Sequence, residues 1–424
     1  MRLPVRAASL LAASLVLVGG LAAPSVAAPG ELLPELDLGG LRQPVPAPEH
    51  GAADGRRAAA AGITPPGRFV PMESTRVIDT RDPDDSVLGP GEGRWYDFSD
   101  VPAGIVALVM NVTATQGTAS TSFVSVVDAN FEEAVPTTSA VNSSAGRDVA
   151  NLVTVPIVGD RTIGLYNNSG STHVIVDVQG FYAAFTDLAA GYVPVAPSRV
   201  LDTRESAPLG PQGLRHLTLD DAPDGAVAAA VTLTSTQATA RTSYVSAGAY
   251  DPAEPDSVPT GSVLNAYQGS DVPNLAIVPV SDDNRVTLYN DQGSTHLIVD
   301  VVGWYVAGGG ASYVPISSQR AVGSGWMGPQ DERNFTPASA QVPVPDDAVA
   351  IALNLTTAGA TAPSYLTVYP GGTARPLASN ANARVGADVA AGTFTRVGSG
   401  FTVYNDSGSL LALVDVQGYF ADVE

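Results

Sequence analysis

The sequence predicts an all-β protein: three tandem β-sandwich-like modules behind an N-terminal leader and a linker. Three observations lead there. First, the chain repeats itself. Phe69-Val70-Pro71 returns as Tyr192-Val193-Pro194 and Tyr313-Val314-Pro315, and Leu165-Tyr166-Asn167 as Leu288-Tyr289-Asn290 and Val403-Tyr404-Asn405. Val176-Asp177-Val178-Gln179-Gly180-Phe181-Tyr182 returns from Val299 and from Val414, offsets of 123 and 115 residues. Periods of that length are whole domains, not solenoid units of roughly 20 to 50 residues. Second, each copy is made of β-branched runs bounded by turn residues. Third, no longer segment keeps a helical period.

In chain order, Met1–Arg6 is a short basic start and Ala7–Ala23 an apolar run, followed by the small-x-small residues Ser25-Val26-Ala27. Pro29 disfavours cleavage after Ala28, so residues 1–27 read as a Sec-type signal peptide and the chain as secreted. Residues 28–66, rich in Pro, Gly and Ala, read as a disordered linker with little to bury. The modules follow at 67–184, 190–307 and 311–424, the last degenerate. In the first, Gly104–Thr115, Thr121–Asp128 and Val149–Val158 read as strands. Arg161–Asn167 and Thr172–Tyr182 read as a β-hairpin turned at Asn168-Ser169-Gly170. The junctions at 183–190 and 307–311 are short, which predicts limited mobility between modules.

Composition excludes several classes of function. All 21 basic residues are arginine, set against 42 acidic residues, for a net charge of −21. Such a chain lacks the clustered positive charge that displaces counterions from nucleic acid. With no cysteine there are no disulfides, thiolate metal sites or cysteine nucleophiles. Beyond the leader, no apolar run approaches the ~20 residues of a membrane span.

Comparing the copies with one another locates candidate sites. Arg76/Arg199/Arg320 and Asp177/Asp300/Asp415 are kept in all three, and they read as a structural network joining the first strand of each module to its last. Asp79-Thr80-Arg81 is matched by Asp202-Thr203-Arg204, Asn151 by Asn274 and His173 by His296. The third copy instead has Val322-Gly323-Ser324, Ala391 and Leu411. The ten lost residues read either as a small polar pocket for a carboxylate, a sugar hydroxyl or a cation, or as local strand-end caps. A catalytic arrangement of His173 and Asp177 with a serine is the weakest reading. The chain has no Gly-x-Ser-x-Gly elbow and no His-Glu-x-x-His. No catalytic residue is therefore assigned, and no cofactor is expected unless Ca²⁺ binds acidic loops such as Asp82–Asp85, Asp282-Asp283 or Asp346-Asp347, none of which has EF-hand spacing. His216, without counterparts, reads as a surface residue. Strand parity puts Val174, Val176, Val178 and Tyr182 on one core face. Trp95, Tyr96, Phe181, Tyr182, Trp304, Tyr305 and Tyr365 read as sandwich closures or as sugar-stacking platforms.

Arg-Val-x-Asp-Thr-Arg, Asn-Val-Thr-Ala-Thr, Tyr-Asn-x-x-Gly and Val-Asp-Val-x-Gly-Tyr/Phe together resemble a tandem repeat of secreted actinobacterial proteins, often appended to exported hydrolases. The resemblance covers nearly all of 67–424. It implies no function for the repeat itself. Standing without a hydrolase domain, the array is expected to be non-catalytic and to act in cell-envelope association, adhesion or surface display. Its expected partners are a cell-wall glycan or another envelope protein. A hydrolase centred on His173 and His296, and a spacer with no ligand, are the alternatives.

Overall fold

Ile105–Thr115 is buried at all eleven positions. A strand with one face in water alternates, so this run must belong to a sheet covered on both sides. The computed structural model describes residues 38–48, 64–131, 135–157, 159–184 and 189–422, and shows what supplies both covers. The expected signal peptide lies outside the described residues.

The first module contains β1 (Pro44–Val45), β2 (Arg68–Asp79), β3 (Glu92–Asp97), β4 (Ile105–Thr115), β5 (Ser122–Asp128), β6 (Val141–Ser143), β7 (Val149–Pro156), β8 (Thr162–Asn167) and β9 (His173–Ala183). Strands β2-β9-β4-β7 form an inner sheet and β3-β8-β5-β6 an outer one. The second module repeats this with β10 (Ala190–Asp202), β11 (Gly213–Thr218), β12 (Ala226–Thr236), β13 (Ser243–Ala249), β14 (Leu264–Ala266), β15 (Val272–Pro279), β16 (Arg285–Asn290) and β17 (His296–Ala307). The third has β18 (Ser312–Arg320), β19 (Gly325–Met327), β20 (Glu332–Phe335), β21 (Ala350–Ala358), β22 (Ser364–Pro370), β23 (Ala381–Ala383), β24 (Val389–Arg396), β25 (Phe401–Asn405) and β26 (Leu410–Ala421). Its inner sheet is β18-β26-β21-β24, with β19 also on β26, and its outer sheet is β20-β25-β22-β23. Helix among the described residues is limited to the turns Thr203–Glu205 and Pro337–Ala340. The fold is all-β.

The expected hairpin between Arg161 and Tyr182 does not form. β8 lies in the outer sheet and β9 in the inner one, so the Tyr-Asn-x-x-Gly segment is a corner between layers. Asn167 holds that corner. Its Nδ2 donates to Leu88 O, Gly89 O and Gly170 O at 3.2, 2.9 and 2.8 Å, and Ser122 Oγ donates to its Oδ1 at 3.2 Å. Asn290 and Asn405 repeat the arrangement. Gly170 has φ 61°, and a Cβ there would lie 2.8 Å from Ala119 N. Both demands fall on glycine.

The three modules close around a common core. Phe69 of the first lies 4.5 Å from Tyr305 of the second, Tyr192 of the second 4.2 Å from Phe420 of the third, and Tyr313 of the third 4.3 Å from Tyr182 of the first, all between ring centroids. Backbone pairing closes the same ring. Ala190 pairs with Phe69, Tyr192 with Ala311, and Gly67 with Tyr313. Each inner sheet is thus covered by its own outer sheet on one face and by its neighbours on the other. Short junctions suggested restricted motion, and the contacts go further: Leu36–Glu424 is one compact unit.

Parity along β9 is corrected by a bulge at Gln179, where the register with β4 shifts between Val109 and Met110. Tyr182 consequently faces the shared core and not the interior of its own module. In the second module, Leu297, Val299, Val301 and Trp304 pack inside the sandwich, while Val302 and Tyr305 face the axis. The glycine after the bulge lets the opening aromatic of the module lie across the strand. A Cβ on Gly180, Gly303 or Gly418 would overlap the rings of Phe69, Tyr192 and Tyr313 respectively. The opening Phe/Tyr-Val-Pro and the closing glycine are therefore two halves of one contact.

Part of the expected disordered linker is ordered. Leu38 is buried, Arg42 N–H donates to Val77 O at 2.8 Å, and the Arg42 guanidinium lies 4.2 Å from the Phe98 ring centroid and pairs with Asp100 at 2.7 Å. Pro44–Val45 adds to the open edge of β3, where a missing proline N–H is tolerated.

Candidate functional site

The ten residues of the first two copies that have no counterpart in the third do not form one pocket. They separate into a local corner and a seam between modules. In the corner, Asp79 accepts Arg81 Nε and Nη2 at 2.8 and 2.6 Å and the Arg81 backbone N–H at 3.1 Å. Asp202 and Arg204 do the same. These contacts lower the Asp79 carboxyl and hold Asp202 at about 2. Thr80 Oγ1 accepts the Val174 N–H at 2.9 Å. His173 Nδ1 lies 3.0 Å from both Thr80 Oγ1 and Thr80 O. A carbonyl oxygen only accepts, so Nδ1 donates there. His296 Nδ1 lies 3.2 Å from Thr203 Oγ1, and Thr203 Oγ1 accepts Leu297 N–H at 2.8 Å. Asp, Thr, Arg and His thus tie the end of the first strand to the start of the last.

Asp177 is not part of a triad with His173. Its two oxygens accept Arg76 Nε at 2.8 Å and Nη2 at 3.3 Å, and the two residues are direct register partners on β2 and β9. Arg199 meets Asp300 at 2.9 Å, and Arg320 meets Asp415 likewise. The aspartates are buried and the arginines half-exposed. Hydrogen bonding to the carboxylate raises Arg76 and Arg199. Burial raises the Asp415 carboxyl despite the opposing guanidinium. Two of the pairs also reach a neighbouring module: Arg320 Nη2 donates to Thr137 O and Arg199 Nη2 to Leu377 O, both at 2.9 Å.

Asn151 lies at the seam between the first and third modules and Asn274 at the seam between the first and second, away from His173 and His296, because β7 and β15 are edge strands that abut other modules. Asn151 Nδ2 donates to Ala140 O at 2.6 Å and across the seam to Asn354 Oδ1 at 2.9 Å, and Gly392 N–H donates back to Asn151 Oδ1 at 2.8 Å. Asn354 Nδ2 completes the set on Ser139 O. Between the first and second modules, Asn111 Nδ2 donates to Ser262 O at 2.7 Å and Leu152 N–H donates to Asn274 Oδ1 at 3.4 Å, while Asn274 Nδ2 is held within its own module by Val263 O at 2.6 Å. Sequence comparison missed Asn111 and Asn354. Their signal was an asparagine in the middle of a strand apolar on both faces.

The other candidates are also placed. Tyr96, Phe181, Tyr182, Trp304 and Tyr305 are buried, which removes them as sugar platforms. His216 Nδ1 bonds Thr287 Oγ1 at 3.1 Å, and its ring packs edge-on against Tyr250. It is a half-buried packing residue, not a solvated one. In the acidic loop, Asp85 accepts from Arg94 at 2.5 Å and from Tyr96 OH at 2.9 Å. Among the described residues no group of three or more His, Asp or Glu is placed to hold a metal ion. No helix among them is long and apolar enough to cross a membrane.

No family model matches the chain, and no curated protein does. Among solved structures, the chain is similar to two archaeal-virus proteins, described as the atomic structure of Sulfolobus Turreted Icosahedral Virus and the triple jelly roll fold and turret assembly in an archaeal virus. Each is 8% identical with a TM-score of 0.17, and the matches cover 84% of this chain and 92% and 90% of the others.

Proposed function

We propose that this is a secreted, non-catalytic protein whose three modules form one rigid body for cell-envelope association, adhesion or display, with a wall glycan or another envelope protein as partner. The pairing of the candidate reactive groups carries this reading. His173 is bonded to Thr80, Asp79 to Arg81 and Asp177 to Arg76. The hydroxyl beside each histidine, Thr80 or Thr203 Oγ1, is buried and already accepts a backbone N–H, and the polar residues repeated between copies serve corners and seams. Several copies of one outer surface on a fixed frame favour multivalent contact over a single catalytic cleft.

The test is retention of the secreted chain on isolated bacterial cell walls, with calcium and with EDTA. Saturable retention is expected, and its calcium dependence would reveal whether the acidic loops take part. Failure to bind, together with release of wall fragments that is abolished by His173→Ala and His296→Ala, would overturn the reading in favour of a hydrolase.

A further inference from the structure

Three equivalent turns, 142–148, 265–271 and 382–388, meet at one place, and their sequences differ there. Where the first module has Ser144, the others have Tyr267 and Arg384. Where the first has Arg147, the others have Ser270 and Ala387. Arg147 Nη1 and Arg384 Nη1 both donate to Ser270 Oγ, at 3.2 and 3.3 Å. The Arg147 guanidinium lies 4.7 Å from the Tyr267 ring centroid, and Tyr267 OH is bonded to the Asp148 backbone. Among the described residues neither arginine has a carboxylate within ion-pair distance, whereas Arg76, Arg94, Arg199 and Arg320 each have one. What sets these two apart is that their guanidinium groups, from different modules, converge on one hydroxyl.

Burial and the facing Arg147 charge push Arg384 down to about 10. Arg147 and Arg384 are both half-buried, and like charges held together with reduced access to water are unfavourable unless an anion compensates them. Two guanidinium forks and a hydroxyl offer more convergent donors than a planar carboxylate can use, whereas a tetrahedral oxyanion presents acceptors in several directions. The turn tips Gly146, Gly269 and Gly386 are exposed, so the cluster is reached from solvent.

We propose that Arg147, Arg384 and Ser270 form an oxyanion site that takes a phosphate group, one per chain, assembled from all three modules. The site does not depend on the envelope reading, and each can fail alone.

Calorimetric titration and thermal melting of the full secreted chain with inorganic phosphate, against sodium chloride at matched ionic strength, test it. One saturable equivalent is expected, with a phosphate-specific rise in melting temperature of about 2 °C or more at concentrations well above Kd. Arg147→Gln and Arg384→Gln should abolish that rise, and Arg384→Gln should melt no lower than the parent without phosphate, because a repulsion has been removed. Ser270→Ala, which leaves both charges in place, should weaken binding about tenfold. If glycerol 3-phosphate competes with inorganic phosphate, the site accepts a phosphate carried on a larger molecule; if it does not, the ligand is the free ion. The proposal falls if wild-type protein shows no phosphate-specific response, or if the response survives intact when both arginines are replaced.

Discussion

The seam between the third and first modules and the seam between the second and third occupy equivalent positions but are built differently. At the former, Asn354, opposite Asp415 on the inner sheet, meets Asn151. At the latter, the position opposite Asp300 is Thr232, and the residue matching Asn151 is Ala391. Both members of the asparagine pair are missing there. Thr232 Oγ1 is buried without a hydrogen-bond partner. The alanine at 391 is thus a change in a module contact and is separate from the loss of the Asp-Thr-Arg/His corner, where β19 and an exposed Trp326 now stand. Residues that vanish together from one copy need not have served one site.

Substitutions can break or sharpen this contrast. The largest effect is expected at the shared core, which all seams have in common. Tyr305→Ala should cost about 3–5 kcal/mol and lower the stability of the whole chain, as read by chemical denaturation. Next is the ion pair that both seams retain. Arg320→Met leaves the fully buried Asp415 carboxylate alone and should cost about 3 kcal/mol. Asp177→Ala leaves a guanidinium that is 43% exposed and can reach water, so a smaller loss of about 1 kcal/mol is expected in the same assay.

The seams themselves come third. Asn151→Ala should cost about 1–2 kcal/mol by stranding Asn354 and the Gly392 N–H. Ala391→Asn alone should gain little, because the Thr232 hydroxyl is shorter than an amide and offers one group where Asn354 offers two, while Thr232→Asn with Ala391→Asn should recover stability non-additively in a double-mutant cycle. The smallest effect is at the corner. Asp202 has a folded-state value lowered to about 2 from 3.8, so its contribution is present above the unfolded value and lost as pH falls through the folded one. Asp202→Asn should lower the melting temperature slightly at pH 5, and the difference should shrink as pH falls below the unfolded value and vanish below about pH 2.

The all-β class and most strands were legible because β-branched runs and turn residues are local signals. Internal comparison also found Arg76 and Asp177, since retention in three copies marks a constraint even when its reason is hidden. The hairpin misreading shows the limit. A strand, an Asn-rich turn and a second strand look the same whether the chain folds back within one sheet or crosses to another. Only the bonds from Asn167 to Leu88 and Gly89, distant in sequence, decide it. The bulge at Gln179 was invisible for a similar reason, and it moved Tyr182 from one core to another. Asn151 was grouped with His173 because both disappear from the third copy, but its partner Asn354 lies 203 residues away in another module.

The central claim is that the repeated polar and aromatic residues hold three modules in one closed body. Differential scanning calorimetry of the whole chain tests it most directly. The account predicts a single transition with equal calorimetric and van't Hoff enthalpies, shifted as a whole by Tyr305→Ala. Separate transitions, of which Tyr305→Ala moves only one, would contradict it.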